Sequence, residues 1–298
     1  MKTEKNILIA FILNLLFSVF EFVGGIITGS VAIISDAVHD TGDALSIGIS
    51  YFLEKKSKKQ PDKVYTYGYQ RFSVIGSLIT TIILLFGSIA VIYNAIIRLF
   101  NPVEINYSGM IVFAIIGVLV NFIAAYFTKE GDSLNQKAVN LHMIEDVLGW
   151  VVVLIGAVVM QFTDISIIDP VMSICVAIFI FINALKNLKQ VENLFLEKIP
   201  NNVNIDEIKE HIKKIEGVID VHHIHIWSLD GFNNYATMHI VTDKEQGTIK
   251  EKVREELKEH HIVHVTLELE SENENCGEEH CHVYHIDSGC HHHHHHHH

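Results

Sequence analysis

The sequence predicts a membrane α-helical bundle of six transmembrane helices followed by a small α+β domain in water. Three observations predict it: apolar runs long enough to cross a bilayer, an acidic C-terminal third, and lysines confined to alternate loops. The chain has 298 residues, 49% of them hydrophobic, with a mean hydropathy of +0.28. That is too apolar for one soluble core. Residues 1–199 hold nearly all the long apolar runs and carry nearly balanced charge, so most of the net charge of −13 falls on residues 200–290. An acidic soluble part cannot neutralise phosphates, which argues against nucleic acid as a partner and suits a cation. The closing run His291–His298 reads as an expression tag and is set aside.

A helix needs about 20 apolar residues to cross the hydrocarbon of a bilayer. Segments 6–28, 73–99, 107–128, 139–162 and 167–188 meet that length. A sixth span, 32–53, carries Asp36, His39, Asp40 and Asp43, each costly in lipid. Its ends are apolar, however, and the charge pattern needs it. With six spans, the lysine-bearing loops 54–70 and 129–138 share one side with Lys2, Lys5 and the stretch from Lys186 to Lys198, whereas the loops near 29–31, 100–106 and 163–166 hold no Lys or Arg. The positive-inside rule then places both termini and the acidic tail in the cytoplasm. No A-x-A site follows the first apolar run, so it is read as a retained span and not as a signal sequence. Short loops and the lack of an organelle signal point to a bacterial inner (plasma) membrane.

Ionisable residues inside a membrane are expensive and line cavities or pair with one another. Two spans repeat one spacing: His39 with Asp43, and His142 with Asp146. Four residues apart on a helix is one face and about one turn. Two such faces brought together offer two imidazole nitrogens and two carboxylates, a tetrahedral set suited to Zn2+ and acceptable to Co2+ or Cd2+. Asp36 and Asp40 form a rival pair at the same spacing, and an all-oxygen pair favours harder ions such as Mn2+. Glu21 and Glu145 are read as lining an aqueous vestibule, supporting the ligands or sitting at helix ends, and Asn121 as bonding between helices.

From Asn201 the pattern changes to αββαβ. Asn204 with Glu207 three residues on is a capping-box-like start for a helix over 205–215. Val218 to Leu229 and Tyr235 to Thr242 read as strands about a turn at 230–234, followed by a helix over 246–260 and a strand from Val263 to Glu270. Strict alternation in the first strand puts His222 on the side of Ile224, with His223 and His225 opposite. Residues 272–290 are polar and lack a core, yet bring Cys276, His280, Cys281 and His282 close together, with His285 and Cys290 beyond. Thiolates and imidazoles so spaced suit Zn2+ or softer ions. The domains are therefore 1–199, 200–271 and a flexible segment 272–290 before the tag. No P-loop, nucleophile elbow or HExxH appears, so an enzyme is not expected.

The segments SDAVHDTGDA (35–44), YTYGYQR (65–71), NLHMIEDVLG (140–149) and GVIDVHHIHIWSLDG (217–231), in that order, resemble the cation diffusion facilitator family of metal/proton antiporters over nearly the whole chain. The resemblance implies that His39, Asp43, His142 and Asp146 form the transport site and that zinc-type ions are the substrate. It implies a metallochaperone-like cytoplasmic domain through which two chains form a homodimer. Within that domain it singles out His222, His239, Glu268 and Glu270 as metal ligands. Some members carry a further metal site in the loop between the second and third helices. Here that loop offers Asp62 and no histidine, and no such site is expected. The expected function is Zn2+/H+ antiport out of the cytoplasm, with Zn2+ as substrate and regulatory ligand. The alternatives are a Cd2+, Co2+, Fe2+ or Mn2+ exporter of the same family, or a membrane-anchored metal sensor.

Overall fold

A computed structural model describes residues 2–28, 31–100, 107–130, 133–162, 168–201, 203–272 and 274. Six long helices come first: α1 (Lys2–Thr28), α2 (Val31–Ser57), α3 (Arg71–Phe100), α4 (Tyr107–Thr128), α5 (Leu134–Phe162) and α6 (Ile168–Phe195). By length and composition, α1, α3, α4 and α5 are able to cross a membrane among the described residues. The helix α2 is continuous, but Asp36, Asp40 and Asp43 interrupt its apolar character. Several helices outrun their apolar segments, α6 by a full turn and more. Hydropathy marks only the stretch that meets lipid, and a helix continues past it into water.

The bundle is built inside out relative to a soluble one. Leu16, Phe52, Phe86 and Phe122 point outward and are exposed, whereas Ser50, Ser77, Thr80 and Thr81 are fully buried. Small and hydroxyl-bearing residues let helices approach closely and bond to one another when lipid covers the outside. The Ser50 and Thr80 hydroxyls lie 2.6 Å apart between α2 and α3, and Asn187 of α6 donates to Thr81 Oγ1 of α3 at 2.6 Å. Gly24 and Gly117 mark two close crossings. A Cβ on Gly117 would stand 2.5 Å from the Trp150 ring of α5, and one on Gly24 would stand 2.7 Å from Phe113 of α4. Asn121 departs from expectation: its amide donates to Gly117 O, one turn back in its own helix, instead of reaching a neighbour.

The C-terminal part contains α7 (Ile205–Lys213), β1 (Val218–Ser228), β2 (Asn234–Thr242), α8 (Gln246–Glu259) and β3 (Ile262–Glu270). Asn204 caps α7, its side chain accepting from the Asp206 amide at 3.0 Å. The helix stops two residues before the expected 215, because the chain must turn through Gly217, whose φ of 97° suits glycine. The strands lie in the order β1-β2-β3, with β2 and β3 parallel across the α8 crossover. One face of the sheet is apolar: Val221, Ile226, Met238 and Ile240 pack with Ile208 and Ile212 of α7 and Val253 and Leu257 of α8. The other face carries the histidines.

Candidate metal centre

Inside the helical unit, α2 and α5 bring together three of the four residues that the HxxxD spacing singles out. Asp43 and His142 are 5% and 4% exposed, and His142 Nε2 lies 3.5 Å from Asp43 Oδ1. Asp146, one turn beyond His142, adds an oxygen, and the three ligand atoms lie within 4.8 Å of one another. Neither ring nitrogen of His142 makes a hydrogen bond. Buried polar atoms are seldom left so, and a nitrogen set aside for a metal is one reason. With metal–ligand bonds of 2.0–2.1 Å, neighbouring ligands of a tetrahedral zinc stand about 3.3 Å apart. The His142 to Asp43 separation is close to that edge. The backbone puts His39 on α2 one turn before Asp43, and the side chains of His39 and Asp36 lie outside the described residues.

One participant was not foreseen. Asn14 of α1, 2% exposed, donates from Nδ2 to Asp146 Oδ2 at 3.4 Å, while its Oδ1 has no hydrogen-bond partner. A lone asparagine in an apolar run has no partner at a telling spacing, so nothing in the sequence marks it.

In the C-terminal domain, His239 lies opposite Glu268 in the parallel ladder. His239 Nδ1 is 2.6 Å from Glu270 Oε1, and its Nε2 is 3.3 Å from Glu268 Oε2. His222 Nε2 is 3.2 Å from Glu270 Oε2. These two buried atoms make no hydrogen bond, the arrangement expected of two ligands turned toward a shared ion. His222, His239 and Glu270 therefore converge, whereas Glu268 stays largely exposed and touches the group through His239. Cys276 and Cys281 lie outside the described residues.

Strict alternation fails in β1. Val221 and Ile226 both face the core although five residues separate them, and Ile224 packs against the same core. His223, at φ 51°, takes up the difference, as the extra residue of a β-bulge does. Thus His222 and His223 share the outer side rather than opposing each other. The His223 ring lies 4.7 Å from that of His239 at 22° and 4.9 Å from that of His225. Loss of hydration first, and then the neighbouring His223 and His239, hold His225 below the ordinary imidazole value.

Between α2 and α3, Asp62 organises its own loop. Oδ1 accepts from the Val64 and Tyr65 amides at 2.9 Å, and Oδ2 accepts from Lys59 Nζ at 2.9 Å and Tyr69 OH at 2.7 Å. These bonds, the Tyr65 amide first, hold the carboxyl well below the usual carboxylate range. Lys59 Nζ also donates to Tyr69 OH at 2.9 Å, and that bond first, then the one to Asp62, pushes the ammonium up to about 12.

The sequence model of the cation efflux transmembrane domain matches residues 7–193, and that of the cation efflux protein cytoplasmic domain matches residues 200–272. The chain belongs to the cation efflux, or cation diffusion facilitator, family. Among curated cation efflux relatives, the cadmium, cobalt and zinc/H(+)-K(+) antiporter of Bacillus subtilis is 32% identical over 91% of this chain and 90% of its own. The metal cation efflux system protein CzcD of Cupriavidus metallidurans is 32% identical over 90% of this chain and 86% of its own. The zinc transporter ZitB of Yersinia pseudotuberculosis is 30% identical over 93% of this chain and 90% of its own. The cation efflux family is one of membrane transporters and not of enzymes.

Proposed function

We propose that this protein exports a divalent metal ion, zinc foremost, from the cytoplasm across the cell membrane in exchange for protons. The observation that carries the reading is the convergence of buried Asp43 and His142 with half-buried Asp146 inside the helical unit. Relatives named for zinc, cadmium and cobalt support the cargo class, and one nitrogen with carboxylate oxygens accepts all three ions. His39, one turn from Asp43 on α2, supplies the fourth ligand.

Metal enters from the cytoplasmic side and replaces protons on His39 and His142. An imidazole with an ordinary pKa of about 6.5 switches between ligand and cation with small changes of surroundings. When α2 and α5 re-expose the site to the outside, returning protons compete the metal off. An inward proton gradient thereby drives metal outward. The lysine-bearing loops support cytoplasmic termini.

His222, His239 and Glu270 would hold a regulatory zinc, with Glu268 beside them. When bound, such an ion supplies positive charge that joins three strands and offsets carboxylate repulsion. Two acidic cytoplasmic domains of a homodimer repel less once loaded, so metal in the cytoplasm favours their approach.

The deciding experiment is zinc uptake into inside-out proteoliposomes under an imposed pH gradient, comparing the intact chain with Asp43→Ala and Asp146→Ala. Uptake by the intact chain and none by either variant is expected. Undiminished uptake by both variants would remove the site from the transport path and turn attention to Asp36 and Asp40.

A further inference from the structure

A third group of metal-ligating side chains lies on the helical side of the C-terminal domain, away from the histidine face of the sheet. It consists of His211 on α7 with Glu256 and His260 on α8. The apolar packing of the two helices creates it. Ile208 and Ile212 of α7 are buried in one core with Val253 and Leu257 of α8. His211 follows Ile208 by three positions, and Glu256 and His260 each follow a buried α8 residue by three, so all three lie at the edge of the packed stripes. Glu256 and His260 are four apart, on one face of α8. His260 is also the C-cap residue of α8, its backbone N–H donating to Leu257 O at 3.2 Å while that of His261 donates to Lys258 O at 3.0 Å.

The distances are those of ligands around one small ion. His211 Nδ1 stands 2.9 Å from Glu256 Oε1 and 3.2 Å from His260 Nε2. Glu256 Oε1 and His260 Nε2 are 3.6 Å apart. A tetrahedral zinc with bonds of 2.0–2.1 Å has ligand edges of about 3.3 Å, and the three separations fall on both sides of that value. Hydrogen bonding alone satisfies the group poorly. A neutral His211 carries at most one proton on Nδ1, yet that atom faces both a carboxylate oxygen and another imidazole nitrogen.

We propose that His211, Glu256 and His260 form a separate zinc- or cobalt-class site in the cytoplasmic domain, one that clamps α7 to α8. Two imidazoles and a carboxylate are borderline donors that select Zn2+ and Co2+ over Mg2+ or Ca2+. A hollow of about 330 Å3, lined by His211, Lys214, Ile215 and Glu256, opens onto the group. It gives an ion a way in and leaves the fourth position to water. Structural zinc sites are closed by four protein ligands, whereas three ligands and a water leave the ion exchangeable. The site therefore fills and empties with the free metal around it. It shares no residue with the His222, His239 and Glu270 group.

The test uses the full chain in detergent without the oligohistidine, which would itself bind metal. In a background of Asp146→Ala, His239→Ala and Cys276, Cys281 and Cys290→Ser, titration with Co2+ followed by visible absorption should show one tetrahedral ion per chain. Glu256→Gln, which keeps size and hydrogen bonding, and His260→Ala should each weaken that binding at least tenfold, while His264→Ala leaves it unchanged. In the otherwise unaltered protein, Glu256→Gln should lower by one per chain the number of tightly bound zinc ions counted by calorimetry. No ion in the combined background, or equal binding in Glu256→Gln and His260→Ala, overturns the proposal, as does an unaltered count in the single variant.

Discussion

Asn14 and Asp146 meet across α1 and α5, the amide Nδ2 donating to the carboxylate Oδ2 at 3.4 Å. The bond ties the first helix to a candidate ligand on the fifth and holds the Asp146 carboxylate beside Asp43 and His142. Loss of a hydrogen bond to a charged group costs about 1.5–3 kcal/mol, and the length here argues for the lower end. Asn14→Ala is expected to raise the KM for zinc about tenfold while the protein remains folded, and Asn14→Gln to recover part of the loss. Transport in proteoliposomes over a range of zinc concentrations checks it; an unchanged KM in Asn14→Ala would count against a positioning role.

His142 is the nitrogen donor of the described intramembrane group. His142→Asp replaces it with a harder oxygen, so discrimination should move toward Mn2+ and away from Zn2+. The readout is the ratio of initial Mn2+ to Zn2+ transport rates. A ratio no higher than that of the unaltered chain would mean that His142 does not set selectivity.

Asp62 and Lys59 stabilise their loop over a wide and calculable range of pH. The folded carboxyl titrates below its ordinary value of 3.8, so its contribution is present above that pH and disappears as pH falls through the lower folded value. Lys59 titrates upward, so its contribution is complete below 10.5 and disappears as pH rises through about 12. Tryptic cleavage at Lys59 and Lys63, corrected for the activity of the protease, is therefore expected to be flat between pH 6 and 9 in the unaltered chain. Asp62→Ala should be cut faster throughout that window. Equal rates for the two proteins would show that the loop does not depend on this carboxylate.

Gly117 leaves no room for a side chain against Trp150, whereas a Cβ on Gly149 meets nothing within 4 Å. Gly117→Ala must push α4 from α5 or turn the indole, and overpacking of this kind costs about 1–3 kcal/mol. Thermal unfolding in detergent, followed by tryptophan fluorescence, should show a lower midpoint for Gly117→Ala and little change for Gly149→Ala. Equal midpoints would mean that the crossing relaxes freely.

The parts of the site legible in the sequence were those that repeat within one element. Asp43, and His142 with Asp146, announce themselves because four residues make one helical turn, the spacing that also points to His39, and Asn204 because a cap is a local bond. The strands of the C-terminal domain fall within a residue or two of expectation, since apolar alternation is local as well. What stayed hidden needs two elements at once. His211 and Glu256 are 45 residues apart and meet only because Ile208, Ile212, Val253 and Leu257 pack together. The bulge at His223 was hidden for another reason. Alternation is a rule with period two, and one residue at positive φ resets its phase without altering composition. Asn121 shows the limit of reading polarity alone, since an amide in an apolar span is satisfied by its own helix as readily as by a neighbour.

The bulge in β1 also says something about how the histidine face came to be. Removing His223 alone would leave Val221, Ile224 and Ile226 in regular alternation, with His222 and His225 outside, and the apolar side of the sheet would pack as before. A strand one residue shorter is thus a sufficient scaffold for the domain. What the additional position adds is a second imidazole laid against His239. The core beneath does not register the added imidazole, because the phase reset at His223 leaves Val221, Ile224 and Ile226 all on the apolar side.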